Sequence, residues 1–479
     1  MTNDTSKYAA NASTSTDFDC DLLVIGAGSG GMRAARFAAQ RGVRVVIVEG
    51  AALGGTCVNV GCIPKKLYSY AAHYAEAFEQ SHGYGWEATT PRFDWAVLKA
   101  RRAVEIKRLN GIYDSLLKSA GATLVRGWAS LVDPHTVAVR PVAGATDSAV
   151  KRYTARHILL ATGGQPQKVD GPGAEWALSS DDMFDLDPFP LRLVVVGGGY
   201  IACEFASIFN GLGAQVTLVH RGPRLLRGFD HEVADFVTAE MRKKGITVHL
   251  QSTIAGVQRH GDVQTLRLNQ PAAAEGAVLE ADAVLHATGR IPRTRGLGLE
   301  ALGITLNANG MVPVDAHFQT IVPSVHALGD LVGHMALTPI ALGEAMLLVD
   351  HLFGDGVRQP IDYAMVPTAV FTHPNIGTVG LGEEAARTRG PVRIYRSDFK
   401  PLQHTLSGST ERTLMKIVVD DASDRVLGMH MVGADAGEVI QGFAAALQAG
   451  LTKAQLDRTI GIHPTGAEEF VTMREIARR

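Results

Sequence analysis

Four cysteines in 479 residues are too few for a disulfide scaffold. No stretch offers about 18 uninterrupted apolar residues, so no membrane-spanning helix is expected. Lys and Arg number 46 against 48 Asp and Glu, for a net charge of -2, and no long single-sign block occurs. Nothing in that balance points to nucleic acid or an anionic membrane as partner. Residues 1–18, mostly Ser, Thr, Asn, Asp and Ala, lack the basic start and apolar stretch of a signal peptide and read as a disordered tail. The chain is therefore expected to be soluble and cytoplasmic. No second cysteine pair or histidine cluster stands near Cys57 and Cys62 to complete a zinc site, so no metal is expected.

What is present is glycine, at 52 residues, together with 46% apolar residues. Glycine in such number suits a chain whose backbone approaches ligands closely. The length suggests about three domains. Residues 21–25 read as a buried strand, followed by Gly26-Ala-Gly28-Ser29-Gly-Gly31, a helical stretch, and a second strand ending at Glu49. This is the order of a dinucleotide site. Gly26 permits the tight turn, Gly28 the approach of a pyrophosphate, and Gly31 the packing of helix on strand. Glu49 stands where a carboxylate can bind ribose hydroxyls.

The pattern recurs at Gly197-Gly-Gly199-Tyr-Ile-Ala202, with a helix over about 200–212 and a strand at 215–219. Here the second strand ends in His220 and Arg221, with Arg224 and Arg227 beyond. A carboxylate would repel a 2′-phosphate, whereas arginines bind it. The first turn thus suits FAD and the second NADP(H). Ala161-Thr162-Gly163 and Ala287-Thr288-Gly289 each close an apolar strand and bracket the second unit, as if marking where the chain leaves and re-enters the first domain.

Between the two turns lies Gly54-Gly-Thr56-Cys57-Val-Asn-Val-Gly61-Cys62-Ile-Pro-Lys65-Lys66. Residues five apart on an ideal helix are roughly 8.6 Å apart between Cα atoms, and a disulfide usually needs less than about 7 Å. The pair can meet only if the helix is distorted, which Gly61 and Gly54-Gly55 can supply. A strained bridge is easily reduced, as a redox-active disulfide requires. Lys65 needs a carboxylate partner if buried, and Glu204 is a candidate. Near the end, His463-Pro-Thr-Gly-Ala-Glu468 offers a histidine that can carry a proton for a thiolate, oriented by Glu468. Cys20 and Cys203 lie in apolar elements and read as buried small hydrophobes.

With these motifs in view, the chain resembles the glutathione reductase branch of the pyridine nucleotide–disulfide oxidoreductases over essentially all of 19–479. The resemblance is carried by residues 54–66, 197–221, 327–339 and 463–474. It implies an α/β fold with two Rossmann-like domains, for FAD (19–157) and NADPH (158–289). A segment over 290–363 would complete the FAD domain, and an α+β interface domain over 364–479 would form a homodimer. It implies an NADPH-dependent glutathione-disulfide reductase. Cys62 would be the cysteine nearest the flavin and Cys57 the one that attacks glutathione disulfide. Lys65 and Glu204 would pair beside the flavin, and Tyr200 would move as NADPH binds. Gly26, Gly28, Ser29, Gly31, Glu49, Thr56, Asp330 and Thr338 would hold FAD. Gly197, Gly199, Ala202, Arg221, Arg227 and Arg290 would serve NADPH. Arg36, Ile112 and Tyr113 would contact substrate. His463, with Glu468, would act on the active site of the other subunit.

Relatives acting on dihydrolipoamide tend to have Ser where Lys66 stands and an acid in place of His220-Arg221. Mercuric and large thioredoxin reductases add a C-terminal cysteine pair that is absent here. Arg33 and Arg36 suit the carboxylates of glutathione. Leu116 and Met346 depart from polar or basic contacts of some glutathione reductases, which leaves open a reductase of another low-molecular-weight disulfide. A low-turnover redox-sensing flavoprotein is the further alternative.

Overall fold

Strand β1 (Cys20–Ile25) explains how the first sheet is buried on both faces. Its alternate residues feed two different cores. Leu22 and Val24 join the cluster of Met32, Ala34, Ala35 and Ala38, whereas Leu23 and Ile25 join that of Val137, Ile158 and Val325. A strand buried on both sides reads as a continuous apolar run, as residues 21–25 do. Each fully buried Leu here contributes roughly 1.5–3 kcal/mol, so Leu23→Ala would leave a costly cavity.

The computed structural model describes residues 17–87, 91–144, 148–171, 173–269 and 276–479. The tail expected over 1–18 lies, apart from Asp17 and Phe18, outside the described residues. The chain divides into two compact units. The first comprises 1–64, 100–166 and 290–361, and the second 65–99, 167–289 and 362–479.

In the first unit, helix α1 (Ser29–Ala39) follows β1, and β2 (Val45–Glu49) lies parallel beside it. Helix α2 (Gly55–Asn59) and the start of α3 (Cys62–Ser81) come next, then α4 (Trp95–Ala120), whose residues from 100 onward belong to this unit. Strands β3 (Thr123–Arg126), β4 (Trp128–Asp133), β5 (Thr136–Arg140) and β6 (Lys151–Leu160) complete the order β3-β2-β1-β6-β5-β4. The late strand Val325–Ala327 adds in parallel to β6. Strand β7 (Gly164–Pro166) pairs antiparallel with Arg290–Pro292. Between Pro166 and Arg290 the chain runs through the second unit.

The second unit contains a parallel sheet built on β8 (Arg192–Val196), with helix α5 (Tyr200–Gly211), β9 (Gln215–Val219), β10 (Thr247–His249) and the strand Ala283–His286. Before Ala283–His286, the strands Thr253–His260, Val263–Asn269 and Val278–Ala281 form a three-stranded antiparallel sheet. Residues 368–432 supply a five-stranded antiparallel sheet, on which the helix Ala436–Gln448 packs through Ala436, Ile440, Ala444 and Leu447. Fully buried Lys416 of that sheet is held by Asp230 at 2.9 Å and Glu383 at 2.8 Å. A buried cation is tolerable only with such partners. No helix among the described residues is long and apolar enough to cross a membrane.

Candidate functional site

The two glycine turns have one backbone design. Gly26 N donates to Val48 O at 2.9 Å, and Gly197 N to Val219 O at 3.0 Å. Ala161 N donates to Ile25 O, and Ala287 N to Val196 O, each at 2.8 Å. The two Ala-Thr-Gly segments therefore close the two turns from below. A Cβ on Gly26 would lie 2.5 Å from Ala161 O, and one on Gly197 would lie 2.3 Å from Ala287 O. Helices α1 and α5 begin at extended Gly28 and Gly199, neither with a side-chain cap. Their first N–H groups are thus left for an anion. Glu49 accepts from Ala27 N and Ala51 N, each at 2.7 Å.

The cysteine segment packs directly on the first turn. Gly54 N donates to Ala27 O at 2.9 Å. Gly55 has φ +60, and a Cβ there would meet Gly28 Cα at 2.7 Å, so this approach requires glycine. Helix α2, which carries Thr56 and Cys57, stops at Val60 (φ -141, ψ 37), and α3 starts afresh at Cys62. This break resolves the distance problem of a five-residue spacing. Asn59 braces it, donating to Leu53 O at 3.0 Å and Gly55 O at 2.8 Å, while Asn110 of α4 donates to Leu53 O at 2.8 Å.

Cys57 and Cys62 are thiols within hydrogen-bonding reach of each other. That bond, followed by burial, pushes the Cys57 thiol well above its ordinary range, against a lowering contribution from Thr338. Cys62 Sγ lies 3.6 Å from Thr338 Oγ1. Tyr113, half-buried on α4, is raised by burial and by the proximity of Cys57, while Arg36 and Arg33 pull it down. Cys57, Cys62, Thr338, Tyr113, Arg33 and Arg36 therefore share one electrostatic neighbourhood. Ile112 is exposed.

Arg36 Nε is buried with no hydrogen-bond partner among the described residues. Arg33 lies over the Phe37 ring at 4.9 Å and lines a cavity of about 310 Å³ with Met346, Leu347, Arg358 and Gln359. Arg358 carries no signal in sequence, because the cavity joins α1 to the helix Thr338–Phe353 and the loop after it. Asp330 is pushed up by burial, against Arg290 and the backbone of Gly164. Arg290 donates to Gly164 O at 2.8 Å, so it stands in the first unit beside Asp330.

In the second unit Lys65 Nζ meets Glu204 Oε1 at 2.5 Å, and Glu204 also accepts from Phe371 N at 2.9 Å. Lys66 lies 3.7 Å from the Phe371 ring centroid and 4.9 Å from that of Tyr70. Burial, then neighbouring Lys65, pulls Lys66 down. Tyr200 opens α5 and is 39% exposed. Arg221 and Arg227 are exposed, whereas Arg224 is engaged with Asp235 at 2.7 Å. His463 Nδ1 lies 3.1 Å from Glu468 Oε1, with its side chain 82% exposed. Cys20 and Cys203 are buried, and burial pushes Cys20 up to about 12 and Cys203 upward as well.

Residues 20–345 match the family profile described as pyridine nucleotide-disulphide oxidoreductase, and 366–474 match the dimerisation domain of that family. The chain is 45% identical over 458 residues to a glutathione reductase of Burkholderia cepacia, covering 95% of this chain and 99% of that protein. It is 43% identical to the chloroplastic/mitochondrial glutathione reductase of Pisum sativum, covering 98% and 84%. A glutathione reductase of a Nostoc strain is 40% identical, covering 95% and 100%.

Proposed function

Because the chain belongs to the pyridine nucleotide-disulphide oxidoreductases, and in view of its similarity to glutathione reductases, we propose that it reduces glutathione disulfide to two glutathione molecules with NADPH, using FAD. The observation that carries this reading is the cysteine pair, brought together by the helix break and packed on the first glycine turn. Gly26, Gly28, Ser29, Gly31, Glu49, Thr56, Asp330 and Thr338 hold FAD. The uncapped start of α1 supports this, as does the close Gly28–Gly55 approach, which leaves no side chain in the way. Gly197, Gly199, Ala202, Arg221 and Arg227 hold NADPH. Bound FAD supplies the route by which the electron pair of NADPH reaches the cysteines.

The FAD domain comprises 19–157 with 290–363, the NADPH domain 158–289, and the interface domain 364–479. The protein is a homodimer that works in the cytoplasm, where thiols stay reduced.

The residues then act in sequence. Cys57, held as a thiol, needs a base. The partner subunit's His463 takes that proton, oriented by the partner subunit's Glu468. Exposure of the imidazole beyond the Nδ1 contact supports such a role on another molecule. The Cys57 thiolate attacks one substrate sulfur, forming a mixed disulfide, and the histidine protonates the departing glutathione thiolate. Cys62 then attacks the Cys57 sulfur, closes the bridge and releases the second glutathione, which takes the second cysteine proton. Arg36, Arg33, Ile112 and Tyr113 receive substrate, and Arg358 supplies a cation where Met346 supplies none. Lys65 and Glu204 keep a fixed charge pair on α3 and α5, and Tyr200 covers the NADPH path.

NADPH oxidation is to be followed with glutathione disulfide against a panel of other small disulfides. Turnover confined to glutathione disulfide is expected. Efficient turnover of a different disulfide alone would refute the substrate. In Cys57→Ser, disulfide turnover should fall on the order of a thousandfold or more, while bleaching of the flavin absorbance by NADPH persists. Surviving turnover would refute the role of Cys57.

A further inference from the structure

The matched hydrogen bonds from Gly26 to Val48 and from Gly197 to Val219 make Glu49 and His220 equivalent positions. Each is the first residue beyond the accepting carbonyl. Glu49 uses its carboxylate to bind Ala27 N. The residue equivalent to Ala27 is Gly198, and there the imidazole does something else. A Cβ on Gly198 would lie 2.4 Å from His220 Nδ1, and one on Gly222 would lie 2.6 Å from His220 Nε2. The ring is thus seated between two glycine Cα atoms that have no side chain to displace it.

The same ring hydrogen-bonds the backbone of Arg224. Burial, then Arg221, pulls His220 below its ordinary value. Leu226 N donates to Gly198 O at 2.7 Å, and Gln251 N to Gly222 O at 2.9 Å. Every one of these contacts ties the loop carrying Arg221 and Arg227 to the glycine turn or to the strand end. Without the ring, the loop would keep the Leu226 and Gln251 backbone bonds and the Arg224–Asp235 pair, and would lose the contact that seats its Arg221 end between Gly198 and Gly222.

We propose that His220 is a positioning residue for coenzyme recognition: its ring, wedged between Gly198 and Gly222, holds the arginine loop against the glycine turn and so preorganises Arg221 and Arg227 for the 2′-phosphate. This rests on the reading that the second turn takes NADPH. Preorganisation acts on affinity by lowering the ordering cost of the contacting side chains. It therefore acts on NADPH and is silent for NADH, which has no 2′-phosphate.

The test is steady-state kinetics of the holoenzyme with NADPH and with NADH. His220→Ala should raise KM for NADPH about tenfold, with kcat, KM for the disulfide and the NADH kinetics unchanged. His220→Gln, which keeps an N–H donor, should restore part of the loss. Gly222→Ala, whose Cβ would displace the ring, should reproduce it. Should His220→Ala fail to fold, as read by its melting temperature, the other two variants carry the test. An equal loss with NADPH and NADH, or an unchanged KM for NADPH, would overturn the proposal. Arg221→Ala run in parallel separates the two layers. If it discriminates between the coenzymes and the His220 and Gly222 variants do not, only this proposal falls. If Arg221→Ala does not discriminate, the assignment of the arginine loop falls with it.

Discussion

The two glycine turns are built on one backbone plan, and two of the positions at which they differ, the third fingerprint residue and the end of the second strand, separate what the plan needs from what the ligand needs. At the third fingerprint position the first turn has Gly31 and the second Ala202. A Cβ on Gly31 would lie 1.9 Å from Gly26 O, whereas Ala202 is accommodated and fully buried. The helix of the first turn therefore sits closer to its strand. At the end of the second strand the first turn has a carboxylate bound to backbone N–H groups, and the second has a ring laid on a glycine. The tightness of the turn is thus a packing matter, and on the proposed reading the choice of nucleotide is a matter of one strand-end residue and the loop it steers.

Exchanging these residues should break the comparison most strongly at the third position. Gly31→Ala forces apart a backbone contact and should cost about 3 kcal/mol or more. FAD should be lost on gel filtration, read as the ratio of flavin to protein absorbance. The reverse change, Ala202→Gly, should cost only about 1 kcal/mol and retain FAD. Next in size is Glu49→Gln, which keeps one acceptor oxygen and loses the other. One charge-assisted bond is worth about 1.5–3 kcal/mol. FAD affinity measured by fluorescence on release should therefore fall about tenfold to a hundredfold, with KM for NADPH unchanged. Smaller again is the contrast within the arginine loop. Arg221→Ala should raise KM for NADPH about tenfold, whereas Arg224→Ala, already spent on Asp235, should change it less than about threefold.

The smallest effect at neutral pH lies in the sheet behind the first turn. His157 of β6 and His326 of the neighbouring strand face each other with ring nitrogens 3.4 Å apart. Burial, then nearby cations including Arg156, pulls His157 down to about 4, and burial with His157 pulls His326 down to about 3. A histidine depressed in the folded state binds its proton more readily once unfolded. Stability should thus be flat above about pH 7 and fall as pH drops from about 6.5 toward 4. His326→Gln should flatten that slope in a series of melting temperatures against pH, and an unchanged slope would remove this pair as its cause.

Local order made much of the fold legible. A strand read at 21–25 runs Cys20–Ile25, and one read at 215–219 has those bounds. The cysteine spacing demanded a distorted helix, and the break at Val60 provides it. His463 and Glu468, five residues apart, meet as their turn suggests. Lys65 and Glu204 are 139 apart, so spacing alone could only nominate the pair. Illegible features share one cause: they depend on side chains from distant segments meeting without a periodic signal. Arg358 beside Arg33 and Met346 is such a case, as is Asn110 bracing Leu53. The seat of His220 between two glycines belongs here too, because a ring resting on a glycine leaves no trace in spacing.

The first unit is assembled from three stretches of chain, and its sheet is completed by Val325–Ala327 joining β6. On the ribosome, the end of β6 at Ile158–Leu160 therefore waits for its second neighbour roughly 165 residues further on, which at about 5–20 residues per second is on the order of ten seconds or more. The strands β8 to Ala283–His286 have their sheet partners within one continuous stretch and can pair sooner. During synthesis the edge at Ile158–Leu160 is open and apolar, the kind of surface that chaperones cover.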